Sequence, residues 1–109
     1  MEINFKDKNL KDLCEQQSLA QRKLGMRMAQ KLQARLADLI AASSVKELVA
    51  GRPHPLTGKR AGQFALDLVH PQRLVFEPDH EPVPQTEDGG IDWGRVTRVS
   101  ISWIGDYHD

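Results

Sequence analysis

Three segments of the chain carry residues whose types could join in one reaction. The first is Pro53-His54-Pro55-Leu56-Thr57-Gly58-Lys59-Arg60-Ala61-Gly62-Gln63, the second the single Arg73, and the third the terminal Gly105-Asp106-Tyr107-His108-Asp109. Cleavage of RNA through its own 2′-hydroxyl needs a base for the 2′ proton and an acid for the leaving 5′ oxygen. It also needs cations for the charge that grows on phosphorus. His54 and His108 suit both proton transfers because imidazole titrates near neutrality. Asp106 and Tyr107 stand beside His108, as an orienting carboxylate and a further proton donor. Arg73 offers a planar fork for two phosphate oxygens, and Lys59 and Arg60 add positive charge. Such chemistry requires neither metal nor cofactor, and His54, His70, His80 and His108 show no metal-ligand spacing. Each signal also has a plain structural reading. A loop histidine between prolines can be mere surface, a strand arginine can be ion-paired, and a polar chain end can fray.

Positioning these groups falls to a simple order of elements. Ile3 and Phe5 alternate with polar neighbours and predict a short opening strand. Asp7 or Asn9 can cap a helix that carries Leu10, Leu13 and Cys14. Ser18 with Gln21 fits a capping box. Leu24, Met28, Leu32, Leu36 and Ile40, with Leu39 beside them, predict an amphipathic helix to about Ser43, in which Gly25 can mark a break. Its other face, with Arg22, Lys31 and Arg35, reads as polar and basic. Ser44 can cap a helical turn through Val45–Leu48 that Gly51 closes. The stretch from Arg52 to Arg60 reads as loop. Residues 62–76 read as a β-hairpin around His70-Pro71-Gln72. Glu77–Gly94 has the composition of a flexible acidic connection. Val96, Val99, Ile101, Trp103 and Ile104 predict a last strand, with Trp93 and Trp103 assigned to packing rather than base stacking. The expected fold is a single α+β domain over residues 1–109, a small antiparallel sheet with an N-terminal helical pair on one face. Where the first strand joins the sheet is left open.

The charge is uneven although the total is zero. Residues 1–60 hold twelve Lys/Arg against six Asp/Glu, and residues 61–109 three against nine. The acid gathers in residues 77–94, at Glu77, Asp79, Glu81, Glu87, Asp88 and Asp92, with no Lys or Arg among them. A basic body suits a polyanionic partner, while one solvated acidic loop explains the pattern equally well. No apolar run approaches a membrane span, and Met1–Lys6 has no signal-peptide character. Cys14 is the only cysteine, so no internal disulfide can form, which points to the cytoplasm.

Short motifs in a consistent order add a family likeness. Phe5-Lys6-Asp7-Lys8 with Leu10 and Leu13-Cys14, then Gln33-Ala34-Arg35-Leu36-Ala37-Asp38-Leu39, resemble the opening and long helix of the HigB killer-protein branch of the RelE/ParE toxin superfamily. His54-x-Leu56-x-Gly58, Arg60-x-Gly62-Gln63-Phe64, Arg73 with Phe76, and Ile104-Gly105-Asp106-Tyr107-His108 resemble its later segments. The resemblance implies a toxin of a type II toxin–antitoxin pair that cleaves mRNA during translation on the ribosome. It places His54, Arg73, Asp106, Tyr107 and His108 at the active site, with Lys59 and Arg60 toward RNA and no metal. The implied partner is a HigA-like helix-turn-helix antitoxin, through which alone the toxin would meet operator DNA.

Three features depart from that pattern. Thr57 stands where the family commonly has Lys, the acidic connection is longer than usual, and the sequence pI of about 6.9 is low for a ribosome-directed toxin. Two alternatives stay open: a ParE-like inhibitor that binds a topoisomerase without cleaving, and an inactive homologue kept for antitoxin binding. One superfamily fold serves both activities, so fold alone does not separate them.

Overall fold

The structure is a computed structural model and describes residues 1–106. Strand β1 (Glu2–Phe5) leads into helices α1 (Lys8–Glu15), α2 (Gln17–Leu24) and α3 (Met26–Ala41). Strands β2 (His54–Pro55), β3 (Phe64–Asp67), β4 (Arg73–Pro78) and β5 (Arg98–Gly105) follow, with 3-10 turns at Val45–Glu47, Gly58–Arg60 and Trp93–Arg95. Among the described residues no helix is long and apolar enough to cross a membrane.

Local chemistry sets the helix ends. The Asp7 carboxylate accepts from the Leu10 amide at 2.9 Å and caps α1, as its position predicted. The expected Ser18–Gln21 capping box does not form. The α2 cap is Gln16, with no side-chain bond, and Ser18 lies inside the helix. Gly25 does break the helix, because its φ of 85° is a backbone state that residues with a Cβ avoid. On α3 the buried residues include Met28, Leu32, Leu36 and Leu39, while Ile40 is 64% exposed. A four-residue repeat drifts about 40° around an α-helix at each step. By the fifth member it has left the core face, and Leu39 takes the place.

The sheet order is β1-β5-β4-β3-β2. Neighbours are antiparallel except β1 and β5, which run parallel, so the sheet is mixed rather than wholly antiparallel. The helices lie between β1 and the rest in sequence, and no hairpin constrains the direction of the β1–β5 pair. One face of the sheet packs on α3. Leu32, Leu36 and Leu39 meet Phe64, Leu66, Leu74, Phe76, Val99 and Ile101 in one core. Phe64 stacks on Phe76 at 5.5 Å between ring centroids.

The acidic connection has a defined path. Strand β4 runs on to Pro78, opposite Val99, and the Asp79 amide donates to the Arg98 carbonyl. Thr86 and Gly90 close a tight turn, flanked by a bridge between Gln85 and Ile91. Ile91 and Trp93 then pack against the core, the Trp93 ring 4.8 Å from Phe64. Two apolar side chains thus anchor a stretch whose other residues are mostly polar or proline. Trp93 has the packing role its sequence context suggested.

Candidate functional site

Register places the chemistry-bearing residues on the sheet face turned away from α3. Directly opposite residues of neighbouring strands share a face, and successive residues alternate. His54 pairs with Ala65, Ala65 with Val75 and Val75 with Trp103, which makes one row across four strands. The next row on the same face is Asp67, Arg73 and Gly105. Between Val75 and Phe76 the register slips by one residue, a bulge that takes up Ser102. The bulge lets Ile101 and Ile104 both face the core while Trp103 faces outward.

His54 is held by its own loop. Its Nδ1 lies 2.8 Å from the Arg52 carbonyl. A carbonyl only accepts, so in this contact Nδ1 carries the proton, and the neutral ring keeps its lone pair on Nε2. That tautomer suits a general base.

Arg73 is well anchored, with its side chain only 16% exposed. Its Nε meets Asp67 Oδ1 at 2.9 Å, and Nη1 donates to the Pro71 carbonyl at 2.8 Å. Asp67 also meets Arg52, Nε to Oδ2, at 2.9 Å. One half-buried carboxylate therefore sits between two guanidinium groups on this face. Asp67 is not among the site residues expected from the sequence. The pairing is not legible from the predicted turn: symmetry about His70-Pro71-Gln72 sets 67 opposite 75, whereas the Leu68 amide bonding the Gln72 carbonyl centres the hairpin on His70 and brings 67 opposite 73. Arg52 was likewise missed. Its φ of 50° is unusual for a residue with a side chain, and the ion pair to Asp67 holds it.

Beneath this row lies a support from α3. Arg35, read from sequence as part of a polar and basic face, has a side chain only 14% exposed. Its Nε donates to the Asp67 carbonyl at 3.1 Å, and its Nη1 pairs with Asp38 at 3.0 Å. Gly51 passes so close that a Cβ there would come within 2.6 Å of Arg35 Nε. The Gly51 carbonyl accepts from the Asp67 amide. Helix, loop and strand thus meet behind Asp67, and the backbone that presents Arg73's partner is fixed from below.

The remaining expected residues are placed unevenly. Lys59 is exposed on the turn Gly58–Arg60. The Arg60 guanidinium carbon lies 5.6 Å from the Trp103 ring centroid, which carries this loop across the outer face. Trp103 itself is 41% exposed, so it is not the core residue its apolar neighbours suggested. Asp106 is exposed and follows Gly105, the residue opposite Arg73. Tyr107 and His108 lie outside the described residues. Cys14 is no nucleophile in this state, because burial, and secondly the charge of Glu15, push its thiol up to about 12. Among the described residues no group of three or more His, Cys, Asp or Glu could hold a metal ion.

Among the described residues three α-helices on a five-stranded sheet make the fold that YoeB/ParE-type toxins share, as comparison with solved structures shows. A YoeB/ParE toxin from Agrobacterium tumefaciens superposes with a TM-score of 0.60 at 17% identity, over 99% of this chain and 100% of its own. A YoeB–YefM complex from Staphylococcus aureus gives 0.59 at 17% identity, over 100% of this chain and 98% of its own. A YoeB dimer from Staphylococcus aureus gives 0.57 over the same shares. No protein-family model and no curated protein matches the chain in sequence.

Proposed function

We propose that this chain is the toxin of a type II toxin–antitoxin pair, of the HigB branch, and that it cleaves mRNA on the ribosome by metal-independent attack of the 2′-hydroxyl. One observation carries the reading: His54, Arg73 and Gly105, the residue before Asp106, stand on the face opposite α3, on neighbouring rows. The full-length likeness to YoeB/ParE-type toxins supports it. In this reading His54 Nε2 takes the 2′ proton. Arg73, with Lys59 and Arg60 on the neighbouring loop, stabilises charge on the phosphate. His108 protonates the leaving oxygen, with Tyr107 and Asp106 beside it. Arg73 must then share its guanidinium between Asp67 and the incoming phosphate. The protein partner is a HigA-like antitoxin, in keeping with the neighbour solved as a complex with YefM. The site of action is the cytoplasm.

Primer extension on a reporter mRNA, after brief induction of the wild type and of His108→Ala, tests this. New ends inside the translated region, absent in the variant, are expected. Growth arrest without new ends overturns it. One observation favours a non-cleaving, topoisomerase-binding toxin as the second reading. The Asp67 carboxylate already takes the Arg73 Nε, one of the donors a phosphate would use. A DNA-damage response with intact mRNA would select that reading.

A further inference from the structure

Trp103 is out of place for a packing residue. It stands in the second half of β5 with 41% of its surface exposed, opposite Val75, which is fully buried. Its ring is nevertheless held. A Cβ on Gly105 would come within 3.3–3.4 Å of indole Nε1, Cε2 and Cζ2, so Gly105 lies flush against the ring. Arg60 lies over the ring at 5.6 Å from the centroid. The β1 strand stops pairing at Ile101, and among the described residues no strand lies beside the Ser102–Ile104 edge on that side. Along that edge runs a groove of about 480 Å³, lined by Trp103, Leu10, Leu13 and Leu19 and by two cations, Lys6 and Lys23, balanced by the carboxylates Asp7 and Asp12.

Position gives this platform its meaning. Trp103 shares a row with His54, and Arg73 is its diagonal neighbour across β4, roughly 7–8 Å away between backbones. A phosphate held at Arg73 therefore brings an adjoining base to the indole. Single-stranded RNA is recognised by unstacked bases laid on aromatic rings or arginine planes, and both are present here as a pair. We propose that Trp103 is a base-stacking residue, which with Arg60 takes the nucleobase next to the phosphate at Arg73 in single-stranded RNA. This inference rests on the endonuclease reading above and adds a binding residue that the sequence resemblance does not supply.

The test is fluorescence anisotropy with a twelve-nucleotide single-stranded RNA, 2′-O-methylated throughout so that no cleavage can occur. Trp103→Leu is expected to weaken binding about tenfold, within the range for loss of one stacked base. Trp103→Phe is expected to stay within about threefold, since a ring remains. Single abasic substitutions along the RNA separate stacking from a structural effect. In the wild type one position should cost about tenfold, and in Trp103→Leu that position should cost nothing further. Equal binding by wild type and Trp103→Leu overturns the inference and leaves the ring as a contact for a protein partner. So does an abasic penalty that persists undiminished in Trp103→Leu. A wild type that does not bind the oligonucleotide also overturns it, while the endonuclease reading is judged separately by the mRNA ends in cells.

Discussion

The two faces of the sheet are built from the same strands by opposite rules. On the inner face Phe64, Leu66, Leu74, Phe76, Val99 and Ile101 interlock with α3 and are buried. On the outer face the alternate positions of those strands include Asp67, Arg73 and Trp103, with His54 on the neighbouring strand, all partly exposed. The inner face is held by apolar contact, which depends on volume and tolerates no charge. Among the described residues the outer face buries only the small Ala65 and Val75, and it adds directed contacts among few groups: Arg73 and Arg52 on Asp67, and Arg60 over Trp103. Stability and chemistry are thus divided between residues one position apart in sequence. Truncating an inner-face residue should move stability first, and truncating an exposed outer-face residue should move chemistry first.

The sharpest test of that division is Phe76→Ala. Phe76 is fully buried and stacks on Phe64, so its truncation should cost about 3–5 kcal/mol, measured by urea unfolding. His54→Ala on the outer face should change stability by under about 0.5 kcal/mol, as a partly exposed loop-side residue. Cleavage, by contrast, should fall by about 10²–10⁴, the usual contribution of a general base. A His54→Ala protein as unstable as Phe76→Ala would break the comparison. One that cleaves normally would remove His54 from the mechanism.

Asp67→Asn probes the outer face by a smaller step. It removes the charge shared by Arg52 and Arg73 while keeping the shape. The loss of a charged contact at a half-buried carboxylate should cost about 1–3 kcal/mol. Arg73 is then released toward phosphate, so RNA affinity should rise and its dependence on salt should steepen. Titration at two salt concentrations measures both. Unchanged affinity would mean that Asp67 does not compete with the phosphate for Arg73.

What the sequence disclosed follows the same division. Apolar periodicity reported the inner face well. Leu32, Leu36 and Leu39 announced α3, and the alternation in 64–76 announced the hairpin. Gly25 marked its break because no other residue is at ease with that backbone. Ile40 and Ser18 were misplaced by small local effects, helical drift in one case and a helix that began two residues earlier in the other. The parallel docking of β1 was not legible, since it joins residues about a hundred positions apart with no turn between them. On the outer face, residue types could be listed but partners could not. Arg35 reads in sequence as part of a polar and basic face because long-range contacts with Asp67 and Gly51 are what bury it. Trp103 looks apolar by its neighbours, because the bulge at Ser102 that turns it outward leaves no mark in composition.

The smallest effect we expect concerns the inner side of the comparison, at Cys14. This thiol belongs to the core cluster and is 5% exposed. Burial first, and Glu15 second, raise its pKa from the ordinary 9.0 to about 12. The unfolded chain therefore releases this proton as pH passes about 9, while the folded chain keeps it until about 12. Between those values the unfolded state binds fewer protons. The contribution of Cys14 to stability is accordingly full below the unfolded value and falls as pH rises toward the folded one. Lysines and other groups titrate in the same window, so the comparison must be differential. Urea midpoints at pH 7 and pH 10 should fall further for the wild type than for Cys14→Ala, and native thiol alkylation at pH 8 should be slow until urea is added. Equal shifts in the two proteins, with fast alkylation of the native state, would show that water reaches the helical side of the sheet, and that the inner face is less dry than its packing implies.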